Sequence, residues 1–365
     1  MSRDGASERL VVSARPVFEI EGEERARLGV DLLRMEITHD EDGLARFEAT
    51  FLNWGRKEES DSPGFLYFDR EILDLGKRIV VKLGDQDHLT TVFDGAVSAL
   101  AGLFPDLRPA EIRVSAEDAL MKLRMRERSR FFEREDAAGM VSRIASDAGL
   151  EQNAEAEGVE HREHWQVNQN DLSFLRERAR TADARLAIED GKLAFLPHRK
   201  PGGEAIRLSK EDALIHFEAC ADLSHQRTEV RVHGWSIADK EAIHEVAGEQ
   251  DISSEANGGK TGPALLSEIG WTAPLDLHLE SPATTDEARA IAKSIALARA
   301  RRFLVGRGTT DGTPTLAVGG EVELLDVGDL FSGRWSVTAV RHTWDLTNGL
   351  RTHFRAERVG LGGTS

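Results

Sequence analysis

The residues of this chain that could do chemistry lie in separate segments. The segment 257–262 reads Asn-Gly-Gly-Lys-Thr-Gly and is similar to the end of a phosphate-binding loop. That loop also needs a glycine five residues before Gly259 and a strand leading into it, but Ser254 stands at this position and no strand pattern precedes it. We therefore expect no nucleotide site here.

Histidines and the cysteine are the next candidates. His161 and His164 would lie one turn apart on a helix, but no third ligand is near them, so a polar loop is the better interpretation than a metal site. Cys220 lies among Ala219 and Ala221, which predicts a buried small apolar residue rather than a reactive nucleophile.

Four further histidines lie in segments that look like strands, and the sequence has no Gly-x-Ser-x-Gly elbow that would supply a serine partner. The four are His225, His233, His342 and His353. A carboxylate pair for glycoside hydrolysis can always be imagined among 64 acidic residues, and nothing singles one out. We expect no catalytic, cofactor-binding or metal-binding residues.

Length, net charge and cysteine content limit the classes of protein to which this chain could belong. The 365 residues exceed the size of one hydrophobic core, so two to four domains are expected. The net charge of −17 argues against nucleic-acid binding, which needs a basic face. A single cysteine excludes an internal disulfide and fits synthesis in a reducing bacterial cytoplasm. The first twenty residues lack a secretory signal, and no apolar run reaches the roughly 18 residues of a membrane helix.

A strand-turn-strand pattern occurs twice, about 240 residues apart. Residues 76–100 contain a strand, a Gly-Asp turn and a second strand entered through Phe-x-Gly, and residues 320–339 repeat this order. Gly95 and Gly333 are expected at matching corners, with Phe93 matching Phe331. The repeat predicts two related antiparallel β-barrels in one chain, although strand pairs of this kind also look alike by chance.

The chain divides into four segments on this pattern. Residues 1–15 are expected to be a disordered tail, 16–110 a first β-barrel domain, 111–205 a small mixed α/β domain, and 206–365 a second β-barrel domain. The fold class is therefore mainly β with an α+β insertion.

Helix and turn signals refine these segments. Asp136 is a predicted N-cap with Gly149 as the helix stop, and Asn170 or Asp171 opens a second helix. In the last domain we expect a long flexible loop at 247–262 and a helix at 284–305 that begins with a capping box. Asp190-Gly191 and Asn348-Gly349 each predict a two-residue hairpin turn, the second with Trp344 opposite His353.

Several segments resemble one family in order and spacing. Residues 169–175, Gln-Asn-Asp-Leu-Ser-Phe-Leu, are similar to the Asp-Leu-x-Phe-Leu helix start of phage tail hub proteins and of valine-glycine-repeat spikes of type VI secretion. Residues 232–235 resemble the Val-x-Gly-Trp segment of the phage late control gene D family. Residues 314–352 resemble the three terminal strands of that family.

This resemblance implies a structural baseplate hub of a phage tail, or of a phage-derived contractile injection system similar to type VI secretion. It implies a virion structural protein that forms a homotrimer with a pseudo-sixfold ring, joins the sixfold tail tube to the threefold spike and lines the channel. Its implied partners are itself, the tail tube protein, a separate spike protein and other baseplate proteins. It implies no enzymatic activity, no cofactor and no membrane insertion. The alternative is a tail-associated cell-wall hydrolase, which would need a further compact domain with a polar cleft.

Overall fold

A computed structural model describes residues 15–57, 62–85, 88–199, 203–278 and 282–362. Of the predicted tail at residues 1–15, residues 1–14 lie outside the described residues, and Arg15 donates a hydrogen bond to the Gly29 carbonyl. The chain is mainly β, with mostly antiparallel sheets. The strands are β1 (Val17–Ile20), β2 (Glu23–Glu24), β3 (Leu32–Asp40), β4 (Arg46–Leu52), β5 (Gly55–Arg56), β6 (Pro63–Gly64), β7 (Arg78–Asp85), β8 (His88–Leu103), β9 (Glu111–Glu117), β10 (Glu127–Glu135), β11 (Gln152–Ala154), β12 (His161–Asn170), β13 (Ala184–Glu189), β14 (Lys192–Pro197), β15 (Ile206–Ser209), β16 (Leu214–Ala221), β17 (Glu229–Ser236), β18 (Glu241–Gly248), β19 (Lys260–Thr261), β20 (Pro274–Leu277), β21 (Leu304–Asp311), β22 (Glu321–Leu325), β23 (Gly333–Asp345), β24 (Gly349–Arg358) and β25 (Gly360–Leu361). The helices are α1 (Ala26–Asp31), α2 (Met121–Arg124), α3 (Ala137–Ala148), α4 (Asp171–Thr181), α5 (Glu249–Ile252), α6 (Gly262–Glu268) and α7 (Thr285–Arg301).

One sheet of 13 strands runs through the molecule. Its order is β16-β21-β24-β23-β3-β4-β9-β8-β7-β1-β2, with β22 paired to β23 and β15 paired to β22. The expected pair of closed barrels is corrected here: among the described residues, strand pairing closes no barrel. The two β-segments instead join through β3 and β23 into one open sheet.

A small α/β domain is inserted after β9. Its core packs α3 and α4 against two small sheets, β10-β12 and β11-β14-β13. The predicted helix starts are present, since the side chains of Asp136 and Asn170 accept backbone hydrogen bonds from Gly139 and Ser173. Gly149 ends α3 in the left-handed conformation. β9 belongs to the large sheet, so the inserted domain begins after Glu117 rather than at residue 111.

A second insertion lies between β16 and β21. Here α7 packs on one face of the sheet β18-β17-β20, with a core of its own. The capping box at Thr284 and Glu287 is confirmed, although α7 ends at Arg301 rather than 305. The segment 247–262, expected to be a long flexible loop, instead contains α5, a 3-10 turn at Ser253–Glu255 and β19. Burial of Ile252 and Ala256 in the core favours this folded segment.

The two predicted hairpin turns have different outcomes. Asp190 and Gly191 both have positive φ, as a type I′ turn requires. At the second hairpin Trp344 pairs with Leu350 rather than with His353, and Asp345 pairs with Gly349. The Asp345 carboxylate accepts backbone hydrogen bonds from residues 347 and 348, which holds a three-residue loop and shifts the register.

Candidate assembly surfaces

The large sheet contains the same five-stranded unit twice. Unit A comprises β3, β4, β7, β8 and β9, and unit B comprises β16, β21, β22, β23 and β24. If the five strands of each unit are numbered in chain order, both units have the sheet order 1-2-5-4-3. Bulges occur at matching places, between Leu32 and Arg34 in β3 and between Leu214 and His216 in β16. The sequence repeat therefore reflects a structural duplication of at least five strands.

A second matching bulge fixes the register between the units. Ser98 of β8 and Thr338 of β23 each occupy a bulge, and each hydroxyl donates to a backbone carbonyl of the next strand at 3.3 Å. Val97 of unit A makes two backbone hydrogen bonds with Gly76 and Lys77. Val337 of unit B makes the same two bonds with the segment 319–320.

This register corrects the predicted equivalences. Gly95 lies opposite Ile79, and the matching position of unit B, opposite Val322, is Trp335. Gly333 matches Phe93 rather than Gly95. The two positions also require glycine for different reasons. A Cβ on Gly95 would lie 2.4 Å from the Glu117 carbonyl oxygen, whereas Gly333 has a positive φ of +117°.

The two units are joined by antiparallel pairing of β3 with the second half of β23. Ala339 to Asp345 lie opposite Asp40 to Arg34, so seven residue pairs form the junction. Trp344 lies opposite Met35, and both are buried in the core of unit A. This junction attaches the first strand of unit A to the fourth strand of unit B.

The chain contains a second, unused set of the same edges. β16, the equivalent of β3, ends the sheet, and among the described residues only β21 pairs with it. Residues 99–103, the equivalent of 339–343, pair with β9 on one side, and no described strand covers the other side. The part of the chain that the structure describes therefore presents one free edge of each kind.

Exposed aromatic side chains lie beside the free edge of β8. The rings of Phe65 and Phe68 are tilted against each other with centroids 5.1 Å apart, and Trp54 and Phe104 contact this pair. Phe104 matches Trp344 in the register above, yet it is 69% exposed while Trp344 is 5% exposed. Large exposed apolar patches mark interaction surfaces, so this patch is a candidate interface.

The loop-like segment 257–262 has a structural role in this fold. Lys260 pairs with Glu268 at 2.9 Å, and the Thr261 hydroxyl accepts a hydrogen bond from the backbone amide of Ala264. Thr261 is therefore the N-cap of α6, a helix of seven residues. These contacts engage the lysine and the threonine that a phosphate-binding loop would use.

Other sequence candidates are also repositioned. The segment with His161 and His164 is a strand rather than a polar loop, because β12 pairs with β10 along its length. Cys220, expected to be buried, is exposed because it lies on the edge strand β16. His342 is fully buried, and its Nδ1 lies 3.0 Å from the Thr352 hydroxyl. Burial, with His39 and His353 nearby, lowers the pKa of His342 to about 3.

One histidine cluster was not predicted from the sequence. The sheet β18-β17-β20 brings His244, His233 and His278 into one row, with Asp276 beside them. The available signal was alternation: His233 and Asp276 each lie between buried or half-buried apolar residues of a strand. β17 and β18 follow each other closely in the chain, but β20 begins only after the segment 249–273, so the sequence alone does not bring Asp276 and His278 to His233.

Ionic contacts link the α/β insertion to the rest of the chain. Arg301 at the end of α7 donates to both carboxylate oxygens of Asp183 and to Glu255. Burial would raise the pKa of Glu255, but the Arg301 hydrogen bond and charge outweigh it and lower that pKa. Arg199 continues the network to Glu321 of unit B at 2.7 Å. These buried pairs fix the position of the insertion beside unit B.

Arginines of two basic segments, 122–128 and 299–302, pair with acids. Arg124 bonds to Glu117, and Arg128 pairs with Asp147 at 3.1 Å. Arg301, in the last turn of α7, belongs to the network described above. Among the described residues no helix is long and apolar enough to cross a membrane.

A known family covers most of this chain. The model of the family described as "Alg8 N-terminal domain" matches residues 52–345, which include both insertions and most of both units but leave out β3, nearly all of β4 and β24. The chain belongs to the Alg8 N-terminal domain family. That description gives a domain and no reaction, so membership in the Alg8 N-terminal domain family assigns no activity by itself. No curated protein matches the chain.

Solved structures show where this fold occurs. The 43 kDa tail protein of prophage MuSo2 from Shewanella oneidensis is 13% identical, with TM-score 0.69 over 94% of this chain and 98% of its own. A tail protein from Neisseria meningitidis MC58 is 12% identical, with TM-score 0.66 over 94% and 96%.

A third structure extends the likeness to secretion. The E. coli c3393 protein, described as a component of the type VI secretion system, is 12% identical, with TM-score 0.56 over 92% of this chain and 76% of its own. This member of the Alg8 N-terminal domain family therefore has the fold of phage tail and type VI secretion proteins. The resemblance to tail hubs and secretion spikes is confirmed at the level of the fold.

Proposed function

We propose that this chain is a structural hub of the baseplate of a phage tail or a phage-derived contractile injection system. In this role it forms a homotrimer, joins the sixfold tail tube to the threefold spike and lines the central channel. It acts without catalysis, and its partners are further copies of itself, the tube protein, a spike protein and other baseplate proteins. The fold shared with tail proteins supports the setting.

The observation that carries the proposal is the reuse of edges. Within the chain, β3 of unit A pairs with β23 of unit B. The matching free edges are β16 of unit B and residues 99–103 of unit A. In the internal junction, Arg341 lies opposite Thr38 and Trp344 lies opposite Met35. The same register between two chains would place Ala101 of one chain opposite Cys220 of the next. It would also place Phe104 opposite Phe217.

The central residues of these edges lack the protection that exposed strands usually carry. Charged side chains, proline and short length normally prevent an edge strand from pairing with another chain. Residues 99–103 read Ala-Leu-Ala-Gly-Leu and residues 219–221 read Ala-Cys-Ala, without charge or proline. Glu218 and Asp222 flank the second stretch, and Pro105 follows Phe104. A partner strand on these edges would satisfy their unpaired backbone groups, and beside them it would cover Phe104.

Pairing between these two different edges restricts the symmetry of the proposed assembly. One chain offers its unit B edge and the next chain accepts it with unit A, so the contact is heterologous and must close into a ring or extend into a fibre. Three chains supply six units. A ring of six similar units with three identical chains fits both a sixfold tube and a threefold spike.

A disulfide across the proposed junction tests it. Cys220 is the only cysteine, so the Ala101→Cys variant can cross-link chains only through residue 101 or 220. Directly opposed residues of antiparallel strands have Cα atoms about 4.5–5.5 Å apart, within the range of a disulfide. Under mild oxidation we expect covalent dimers and trimers, up to about 121 kDa for three chains of 40.3 kDa.

Two variants control this experiment. Leu100→Cys lies one residue away with its side chain on the opposite face, so it should cross-link much less. Cys220→Ser in the Ala101→Cys background removes the partner and should abolish the heterologous product. Equal cross-linking of the two cysteine variants would contradict the proposed register. A chain that stays monomeric by light scattering, even with tube and spike proteins, would contradict the hub itself.

A further inference from the structure

The histidine cluster on the second insertion is the strongest unexplained group of metal-ligating side chains. His233 of β17 lies opposite His244 of β18. Val232 lies opposite Leu277 in β20, so the following residue, His278, comes level with His233. The imidazole centroids of His233 lie 4.7 Å from His244 and 4.5 Å from His278. Three imidazoles therefore form a row across three neighbouring strands.

The row lies on the open face of this sheet. The other face carries Val230, Val232 and Ile243, which pack with α7 in the core of the insertion. Because side chains alternate along a strand, His233 and Asp276 face away from α7. His244, Asp276 and His278 are exposed and His233 is half-buried. An ion from solvent can therefore reach the cluster without any movement of the core.

The geometry points to a divalent transition-metal site, and we propose that His233, Asp276 and His278 bind Zn²⁺ or a similar ion. One ligand atom of each lies within 4.8 Å of the others. His233 Nε2 and Asp276 Oδ1 are 3.2 Å apart. Ligands held about 2.0–2.1 Å from a tetrahedral zinc ion are themselves about 3.3 Å apart, so this pair already has the required spacing. Imidazole and carboxylate are both ligands that zinc accepts.

His244 has a different role in this site. Its Nδ1 lies 3.2 Å from Nδ1 of His233. With Nε2 of His233 on the metal, Nδ1 carries the proton and donates it to His244. A hydrogen bond of this kind fixes the tautomer and orientation of a metal-binding histidine. His244 is therefore a positioning residue.

One cation opposes metal binding at this site. Arg231 Nη1 lies 3.8 Å from Asp276 Oδ1, but the same guanidinium also bonds to Glu229. The Glu229 carboxylate offsets much of the arginine charge. A bound ion would link β17 to β20, a parallel pair of strands with only four residue pairs.

Calorimetric titration with ZnCl₂ at pH 7.5, using protein purified without a histidine tag, tests the proposal. We expect one ion per chain with a Kd in the micromolar range or below. His233→Ala, Asp276→Asn and His278→Ala should each weaken binding at least 10-fold, with the two histidine variants most affected. His244→Ala should weaken it about 10-fold through lost orientation. Zinc should also raise the melting temperature of the wild type.

Matched controls separate the site from general surface binding. His88→Ala removes an exposed histidine of unit A and should leave zinc affinity unchanged. Circular dichroism identifies any variant that fails to fold, and His278→Ala, at the exposed end of the row, provides a second test if His233→Ala is unstable. Wild-type binding no tighter than that of the His278→Ala variant would overturn the proposal, as would no binding at 100 μM zinc. These results do not depend on whether the chain forms a trimer.

Discussion

At the scale of single residues, the buried His342 shows how burial couples charge to stability. Its imidazole is neutral in the fold because burial lowers its pKa to about 3. In the unfolded chain the same group titrates near 6.5. Between these values the unfolded chain takes up a proton that the folded chain does not, so stability is present above about pH 6.5 and is lost as the pH falls.

The variant His342→Gln tests this coupling. Glutamine can still hydrogen-bond Thr352 but does not titrate. From pH 6.5 to 4.5, the free energy of unfolding of the wild type should fall more steeply than that of the variant, by up to about 1.4 kcal/mol per pH unit. Urea denaturation at several pH values measures both slopes. Parallel slopes would show that protonation of His342 does not contribute.

Backbone conformation makes a second residue-scale prediction. Gly333 begins β23 with φ +117°, a region that β-branched residues avoid, although a Cβ there would meet nothing closer than 3.4 Å. Gly333→Val should therefore cost about 1–3 kcal/mol through backbone strain alone. Gly64→Val is the control, because Gly64 has an ordinary φ and open space around it. Similar losses in both variants, measured by thermal unfolding, would contradict strain as the cause.

At the scale of elements, the sequence predicted what local chemistry decides. Asp136, Asn170 and Thr284 are predicted caps, and each accepts the expected backbone hydrogen bond because a cap involves only residues three apart. Register was less predictable. Aligning Gly95 with Gly333 followed sequence similarity, whereas the structural register depends on bulges at Ser98 and Thr338 that leave no clear mark in the sequence.

The candidate surfaces were harder to predict than the elements. The sequence indicated a duplication but not that β3 pairs with β23, because the two strands are about 300 residues apart. The exposure of Cys220 follows only from the place of β16 at the edge of the sheet. The histidine row likewise needs three strands in register before its side chains meet.

At the scale of the whole molecule, the net charge of the chain leads to a prediction about the channel of the proposed ring. The net charge is −17, and the arginines Arg124 and Arg128 of the most basic segment pair with acids. Binding to DNA requires several uncompensated cations against phosphates. We therefore expect the lumen of the assembled ring to be neutral or acidic.

A gel-shift assay checks this expectation. The pure protein should not shift DNA at 0.15 M salt, even when it is assembled with tube and spike proteins. A basic DNA-binding domain in the same gel provides the positive control. Sub-micromolar affinity for DNA, or a structure of the ring with a basic lumen, would contradict the expectation.

Joining units A and B in one polypeptide has a consequence for how the proposed ring would be built. The β3–β23 junction forms within a single chain, where the effective concentration of one strand near the other does not depend on how much protein the cell makes. In a ring of three chains only every second junction depends on encounters between molecules. Dilution therefore acts on three contacts instead of six. The internal junction and the junction between chains can also change in sequence independently of each other. Joining the two units in one chain would therefore speed ring closure and also allow the two kinds of junction to diverge.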